Sequence, residues 1–233
     1  MKKMIIASTS TVHGSKYLAY LLPTLKTHFI GVKELLFIPY ARPSGISYDE
    51  YTAIAKKAFS EINIDVKGIH EFENAKETVK NAEAIFTGGG NTFELVNQLY
   101  KNDVLNTLKE VIENGTPYLG TSAGSNICGI NMKNTNDMPI VYPPSFTTLG
   151  CINFNINAHY LDPIEGSTHM GETRETRIKE FHVFNETPVL GLREGSWLEV
   201  DNEAVFLRGK LTARLFKNNE QPIELKSGDL LKF

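Results

Sequence analysis

The sequence is poor in cysteine, and it contains neither a block of basic residues nor a long apolar run. Its two cysteines, Cys128 and Cys151, do not have the spacing of a metal or redox site, and they suit a reducing cytoplasm. The apolar run after Lys2 and Lys3 is too short for the core of a secretory signal, and no stretch has the length of a membrane span. We therefore expect a cytoplasmic protein that needs no metal or cofactor and has no membrane partner.

The charge balance also argues against nucleic acid as a partner. The formal net charge is −3 over 233 residues, without a basic cluster. Apolar residues make up 41% of the chain and charged residues 22%, as is usual for a soluble globular protein. The length fits one large domain over residues 1–233, and the sequence leaves a monomer and a homodimer both open.

Strands and helices alternate through the first half of the chain. The pattern predicts strands at 3–8, 34–39, 65–69, 84–87 and 117–121, and helices at 17–29, 48–62, 75–82, 93–100 and 104–113. Such alternation is typical of a parallel sheet covered by helices on both faces. In these sheets, functional sites gather where the strands end at their carboxyl edge.

The second half is less regular. Residues 131–172 are predicted to be mostly loop, with one strand at 151–156, and a loop of this length is typical of a lid or a binding segment. A helix is predicted at 172–184 and a strand at 188–192, and the segments 197–200, 204–207 and 211–216 are predicted to form an antiparallel meander. The overall expectation is an α/β fold with a mostly parallel sheet and a C-terminal antiparallel meander.

The stretch Gly120-x-Ser122-x-Gly124 joins a short apolar strand to residues suited to open a helix. In such a turn the middle residue takes a strained backbone conformation that exposes its side chain, and a Cβ on either glycine would collide with neighbouring backbone. Ser122 could then attack a carbonyl, with the N–H of Ala123 directed at the developing oxyanion. The motif alone also fits a Gly/Ser turn without chemistry.

A second glycine loop, 88–90, follows the strand at 84–87. Its N–H groups, from Gly88 and Gly89 in particular, are predicted to form the other part of an oxyanion hole. The loop could instead be a plain tight turn, whereas a phosphate site is disfavoured because neither G-x-G-x-x-G nor G-K-[ST] occurs. Asn91 or Thr92 is suited to cap the helix that follows.

A serine nucleophile needs a base, and a base histidine needs an acid. Of the six histidines, His159 ends a predicted strand and is the leading base; the others are His13, His28, His70, His169 and His182. Glu194, in a turn before Gly195, and Asp137, in the long loop, are both candidates for the acid. Each carboxylate alone would be an ordinary turn or loop residue.

Two arginines share one stripe of the helix at 172–184. Arg174 and Arg177 lie at helical spacing with Ile178 and Phe181, which should face inward. The arginines could form surface ion pairs with neighbouring glutamates. They could equally present a guanidinium fork to the carboxylate of a ligand.

Together these motifs resemble the peptidase E family, α-aspartyl dipeptidases that are serine peptidases releasing an N-terminal aspartate. The matching segments are TGGGNTF (87–93), GTSAG (120–124), TNDMPIV (135–141), INAH (156–159), GETRE-x-RI (171–178) and GLREG (191–195). They run in order along nearly the whole chain. The departures are Thr121, where an aromatic residue is common, and Ala158 and Arg193, where proline is common.

The resemblance implies a three-layer α/β fold shared with class I glutamine amidotransferases, with serine in place of their cysteine. It implies Ser122 as nucleophile and His159 as base, with Glu194 favoured as the acid and Asp137 placed near the substrate, at its α-ammonium group. The expected substrate is a small peptide with an N-terminal aspartate. The residues implied to bind it are Arg174, Arg177 and Asn91.

Three other functions remain open at this point. An esterase of the α/β-hydrolase type also has G-x-S-x-G and an upstream glycine loop. A cyanophycinase-like peptidase would cut aspartate-rich polymers on the same fold. A module without catalytic activity could bind acidic peptides, although an intact Ser122, His159 and Glu194 argues against it.

Overall fold

The computed structural model describes residues 1–163, 166 and 171–232; His169 lies outside these residues. The strands are β1 Lys3–Ala7, β2 Glu34–Ile38, β3 Asp65–Gly68, β4 Ile85–Thr87, β5 Tyr118–Thr121, β6 Asn155–Ala158, β7 Val189–Leu192, β8 Ser196–Asp201, β9 Ala204–Gly209, β10 Ala213–Phe216 and β11 Ile223–Leu225. The helices are α1 Leu22–His28, α2 Tyr48–Ser60, α3 Ala75–Lys80, α4 Thr92–Lys101, α5 Leu105–Glu113, α6 Ala123–Asn126 and α7 Arg174–Phe184. No helix in the described ranges combines the length and the apolar character needed to cross a bilayer.

The large sheet has seven strands in the order β3-β2-β4-β5-β1-β8-β9. The first five are parallel, as the alternation of strands and helices predicts. Because parallel strands share one carboxyl edge, the ends of β1, β4 and β5 lie side by side. The residues that directly follow these three strands therefore lie together at this edge. They are Ser8 after Ala7, the glycine loop after Thr87, and Ser122 after Thr121.

Each face of this sheet has its own apolar core. In β1, Ile5 and Ala7 face one core and Met4 and Ile6 face the other, since successive side chains of a strand alternate. Helices α1 and α2 cover the first face. Helices α3, α4 and α5 and the second sheet cover the other, which produces the three-layer arrangement.

The second sheet has four strands in the order β11-β10-β7-β6, and β6 and β7 are parallel. The strands predicted as one meander are divided between the two sheets. The antiparallel β8–β9 hairpin extends the large sheet beside β1, whereas β10 pairs with β7 in the small one. Alternation within a short strand identifies its buried face, but it carries no information about which partner the strand will find.

Two elements have a boundary that differs from the prediction by more than two residues. The first helix spans Leu22–His28 rather than 17–29, with Pro23 in its first turn, where a missing N–H costs nothing. The strand predicted at 151–156 is found at Asn155–Ala158. This strand is buried at every position although it contains two asparagines. Polar side chains are seldom fully buried unless they are hydrogen-bonded, so the sequence pattern did not indicate a buried strand here.

Asparagine side chains satisfy this strand and tie the long irregular segment to it. Asn155 Oδ1 accepts from the N–H groups of Ile130 and Asn131, both at 3.1 Å. Asn157 Nδ2 donates to Asn134 O at 2.8 Å, and Asn136 Nδ2 donates to Asn157 Oδ1 at 3.0 Å. The network fixes β6, and therefore the residue that follows it, relative to the rest of the chain.

Candidate active site

Ser122 occupies a strained turn between β5 and α6. Its backbone angles are φ 54° and ψ −113°, outside the regions that most residues adopt. A Cβ on Gly120 would lie 2.4 Å from Gly124 O, and one on Gly124 would lie 2.1 Å from Thr87 O. The two glycines are therefore required for the turn, and the turn points the serine hydroxyl away from the sheet.

Ser122, His159 and Glu194 form one hydrogen-bonded chain. His159 Nε2 lies 2.9 Å from Ser122 Oγ, and His159 Nδ1 lies 2.6 Å from Glu194 Oε1. Each ring nitrogen thus has one partner, with the carboxylate on the nitrogen opposite to the serine. This arrangement can remove the hydroxyl proton and stabilise the imidazolium that results.

Ser8, directly after β1, positions His159. The backbone N–H of His159 donates to Ser8 Oγ at 2.9 Å, and the Ser8 hydroxyl donates to Leu192 O at 2.7 Å. Ser8 is fully buried and so joins the carboxyl ends of β1, β6 and β7. Ser8 was not among the predicted site residues, although a small polar residue directly after a buried parallel strand is a signal for such a position.

Glu194 lies in the tight turn between β7 and β8, beside Gly195 at φ +87°. The ring of Tyr20 lies close by, and its hydroxyl donates to Thr9 O at 2.5 Å. Burial, and then the nearby Glu194 carboxylate, raise the pKa of Tyr20 well above its ordinary range. Tyr20 therefore stays neutral beside the Glu194 carboxylate.

Asp137 has a different set of partners. Its Oδ2 accepts from Thr92 N–H at 2.8 Å and from Thr135 Oγ1 at 3.1 Å. A carboxylate in this position stabilises the first turn of α4. Of the two acids left open by the sequence, Glu194 contacts His159, and Asp137 is bonded to the start of α4.

The second glycine loop packs directly against the serine. A Cβ on Gly89 would lie 2.9 Å from Ser122 Cβ. Gly88 N–H, however, donates to Ile38 O at 3.1 Å, and Gly89 N–H donates to Tyr51 Oη at 2.9 Å. Neither can bind an oxyanion without leaving its acceptor, whereas the N–H groups of Gly90 and Ala123 have no acceptor among the described residues.

The two arginines differ in environment. Arg174 is half-buried and forms no ion pair with any described carboxylate, whereas Arg177 is 51% exposed and lies 3.6 Å from Glu172. Burial, and then the neighbouring Arg177, lower the pKa of Arg174, while the nearby Asp137 opposes the shift. A half-buried guanidinium without a carboxylate partner is suited to receive one from a ligand.

Asn91 is engaged in the fold itself. Its Oδ1 accepts from Glu94 N–H at 3.1 Å, which caps α4, and its Nδ2 donates to Met138 O at 2.9 Å. Both ends of the amide are therefore in use. The capping role expected for this position is present, and the second N–H of Asn91 Nδ2 has no acceptor among the described residues, so it is free to contact a substrate without breaking the Met138 bond.

Proteins of known sequence match this chain over most of its length. A protein named Peptidase E from Streptomyces coelicolor is 45% identical over 225 residues, which cover 97% of this chain and 91% of that protein. A Drosophila melanogaster protein named "Probable alpha-aspartyl dipeptidase" is 42% identical over 219 residues, covering 93% of this chain and 90% of that protein.

Solved structures match the fold. One of a peptidase from an acI-B1 actinobacterium has a TM-score of 0.75 at 16% identity and covers 100% of this chain and 97% of that chain. One of a protein from Listeria monocytogenes EGD-e has a TM-score of 0.69 at 19% identity and covers 90% and 99%. At such identities the likeness concerns the fold alone.

A family model described as Peptidase family S51 matches residues 4–208, a range that contains Ser122, His159 and Glu194. This match and the identity to the two named relatives agree with the hydrogen-bonded serine, histidine and glutamate. The chain belongs to peptidase family S51.

Proposed function

We propose that this protein is a serine exopeptidase that hydrolyses dipeptides with an N-terminal aspartate. The observation that carries the proposal is the chain of contacts from Ser122 through His159 to Glu194. The half-buried Arg174, without an ion-pair partner among the described residues, supports the acidic specificity. The names of the two relatives, Peptidase E and alpha-aspartyl dipeptidase, support the same substrate class.

The reaction follows from the positions of the three side chains. Ser122 Oγ attacks the carbonyl carbon after the aspartate while His159 Nε2 takes its proton, and the C–N bond then breaks as His159 protonates the departing amine. The acyl group remains on Ser122 until a water molecule, deprotonated by His159, attacks its carbonyl carbon. The bond to Ser122 Oγ then breaks as His159 returns the proton to that oxygen, which releases aspartate and restores the serine hydroxyl. Glu194 stabilises the imidazolium in both halves.

The oxyanion of each tetrahedral intermediate binds the N–H of Ala123 and an N–H of the glycine loop. Gly90 supports the second position best, because its N–H has no acceptor among the described residues. Gly88 and Gly89 hold the loop against Ser122. Removing one such donor typically costs about 2.7–4 kcal/mol of transition-state stabilisation.

The aspartate side chain of the substrate binds Arg174, with Arg177 adding positive charge nearby. Asp137 lies close enough to Arg174 to influence its pKa, and its carboxylate is suited to the α-ammonium group of the substrate. The substrate thus places its negative group on the arginine and its positive group on the aspartate. A neutral first residue would leave Arg174 unpaired, and such a loss discriminates strongly.

The test compares Asp-Leu and Asn-Leu, which differ by one charged group. We expect kcat/KM for Asn-Leu to be at least about 100-fold lower. Ser122→Ala should lower kcat on Asp-Leu by roughly five orders of magnitude while the protein stays folded. Equal rates on the two dipeptides would disprove the acidic specificity, and an active Ser122→Ala variant would disprove the nucleophile.

The remaining expectations concern the surroundings of the enzyme. The proposed partner is a small peptide rather than another macromolecule, and the enzyme acts as a monomer or a homodimer. A cytoplasmic location is supported by Cys128 and Cys151, which are buried as free thiols. Sedimentation velocity on the purified protein and fractionation of its source cells would test these points.

A further inference from the structure

We propose that Arg193 is a positioning residue for the catalytic triad. It clamps the carboxyl ends of β6 and β7 together and so holds Glu194 against His159. Arg193 directly follows β7, and Glu194 is the next residue along the chain, so contacts that fix Arg193 also fix the backbone that carries Glu194.

The clamp begins with a bidentate ion pair. Arg193 Nε donates to Asp162 Oδ2 and Arg193 Nη2 donates to Asp162 Oδ1, both at 2.8 Å. Planar fork-to-carboxylate pairing of this kind adds geometric specificity as well as energy. The pair holds the pKa of Asp162 below its ordinary value, so the carboxylate stays charged.

The two ends of this ion pair lie next to the catalytic residues. Strands β6 and β7 are parallel neighbours, with Ala158 opposite Leu192. The next residues along the two strands are His159 and Arg193, and Glu194 follows directly. Asp162 lies three residues after His159, so the ion pair closes the gap between the segment that carries the base and the segment that carries the acid.

Further contacts fix Arg193 itself. Its Nη1 donates to Thr212 Oγ1 at 2.7 Å and also to Glu224 on β11. Its guanidinium carbon lies 5.5 Å from the centre of the Tyr160 ring, and the side chain is only 14% exposed. The guanidinium thus contacts four residues from other segments of the chain, which restricts its movement. They are Asp162, Tyr160, Thr212 and Glu224.

The triad needs such support because its acid has few partners. No group in the described part of the chain, apart from His159, donates a hydrogen bond to the Glu194 carboxylate. The side chains of His159 and Glu194 are 39% and 45% exposed, so water competes for both. The Glu194 side chain is flexible and, among the described residues, is held by a single hydrogen bond, to His159. The position of the Glu194 backbone therefore determines how often this hydrogen bond is formed.

The first experiment separates positioning from stability. Arg193→Met is compared with Arg208→Met, which removes an arginine paired with Glu199 at 2.7 Å on the β8–β9 hairpin, away from the triad. We expect Arg193→Met to lower kcat on Asp-Leu about 10- to 100-fold with KM changed less than twofold. Arg208→Met should keep kcat, whatever it does to the melting temperature.

Conservative variants define the geometry. Arg193→Lys keeps the charge but loses the fork, so it should recover only part of the lost kcat. Asp162→Asn should lower kcat, and the double variant with Arg193→Met should be no worse than Arg193→Met alone, because both changes break the same clamp. Full activity in Arg193→Lys or additive losses in the double variant would overturn the proposal.

A spectroscopic signature provides a direct readout of the bond. The His159 Nδ1 proton, in a 2.6 Å contact with Glu194, should give a strongly downfield proton NMR signal. We expect this signal to weaken or move upfield in Arg193→Met and to stay in Arg208→Met. An unchanged signal together with an unchanged kcat would leave Arg193 with a structural role only.

This inference rests on the triad of the proposed function but not on its substrate. The rate at which a fluorophosphonate labels Ser122 measures nucleophile activation without any dipeptide. Arg193→Met should slow labelling by a factor similar to its loss of kcat. If Asp-Leu is not a substrate, labelling still tests the clamp; if Arg193→Met labels at the wild-type rate, the clamp is wrong and the substrate assignment stands.

Discussion

Ser122, the proposed nucleophile, is held by different means from His159 and Glu194, its proposed base and acid. Ser122 lies in the parallel-sheet half of the chain. The turn that carries it packs so tightly against backbone atoms at positions 120 and 124 that only glycine fits there. His159 and Glu194 lie on half-exposed strand ends in the second half, and side chains from distant segments position them. The position of Ser122 is therefore determined by the steric limits of its own turn, whereas the positions of His159 and Glu194 are determined by contacts with distant segments.

This difference has a consequence for how each region tolerates change. Glycine packing against backbone atoms cannot relax, because the colliding atoms belong to β4 and to the turn itself. Hydrogen bonds at the strand ends can lengthen gradually, so substitutions there should reduce activity by graded amounts.

The largest loss of activity and stability is expected in the Ser122 turn, because the backbone packed against Gly124 cannot move aside. Gly124→Ala would place a Cβ 2.1 Å from Thr87 O, which is backbone. We expect loss of activity and destabilisation of at least about 3 kcal/mol, measured by urea unfolding. Gly45→Ala is the control, since its Cβ meets nothing within 4 Å and only its positive φ is unfavourable. Similar behaviour of the two variants would contradict the packing argument.

The second effect concerns the acid. Glu194→Gln keeps the shape of the side chain but removes its charge, and it should lower kcat by about 10³- to 10⁴-fold with little change in folding. Asp137→Asn should act chiefly on KM, because Asp137 is bonded to Thr92 and Thr135 rather than to His159. A harmless Glu194→Gln beside a ruinous Asp137→Asn would reverse the assignment of the two acids.

A graded effect is expected at Ser8. Ser8→Ala leaves the buried His159 N–H without its acceptor, which should cost about 1–3 kcal/mol of stability. The base should then be less well placed, and we expect kcat to fall roughly tenfold. Ser60→Ala, which removes an exposed hydroxyl bonded to Lys57 O, is the matched control. Wild-type kcat in Ser8→Ala would show that β1 does not position the base.

The smallest effect near neutral pH concerns His28, a partly buried residue at the end of α1 in the sheet half. Burial lowers the pKa of His28 from 6.5 to about 4, although its bond to Tyr118 O opposes the shift. Because the folded pKa is the lower one, stability is full above pH 6.5 and falls as the pH drops from 6.5 to 4, by up to roughly 3 kcal/mol.

His28→Gln should therefore flatten the stability curve between pH 6.5 and 4 without changing kcat at neutral pH. Urea unfolding at several pH values measures the slope. An unchanged slope in the variant would assign the pH dependence to other groups. The result would also show that His28 affects stability, whereas His159 affects activity.

Much of the sheet half was predictable because its signals are local. Short apolar strands, helical spacing and the glycines around Ser122 each describe a few neighbouring residues, and local sterics decide their conformation. The errors arose where one residue or one polar strand changed the pattern. The first helix begins beside Pro23 rather than at residue 17, and the polar residues Asn155 and Asn157 belong to a buried strand that the pattern did not predict there.

By itself the sequence determined the parallel sheet, the strained serine turn and the set of side chains able to act on a carbonyl. Only the tertiary structure decided that Glu194 rather than Asp137 contacts His159, that Gly89 N–H binds Tyr51, and that β8 joins the large sheet. The physical reason is range. Backbone conformation depends on adjacent atoms, whereas a hydrogen bond between segments 35 residues apart depends on how every intervening element packs.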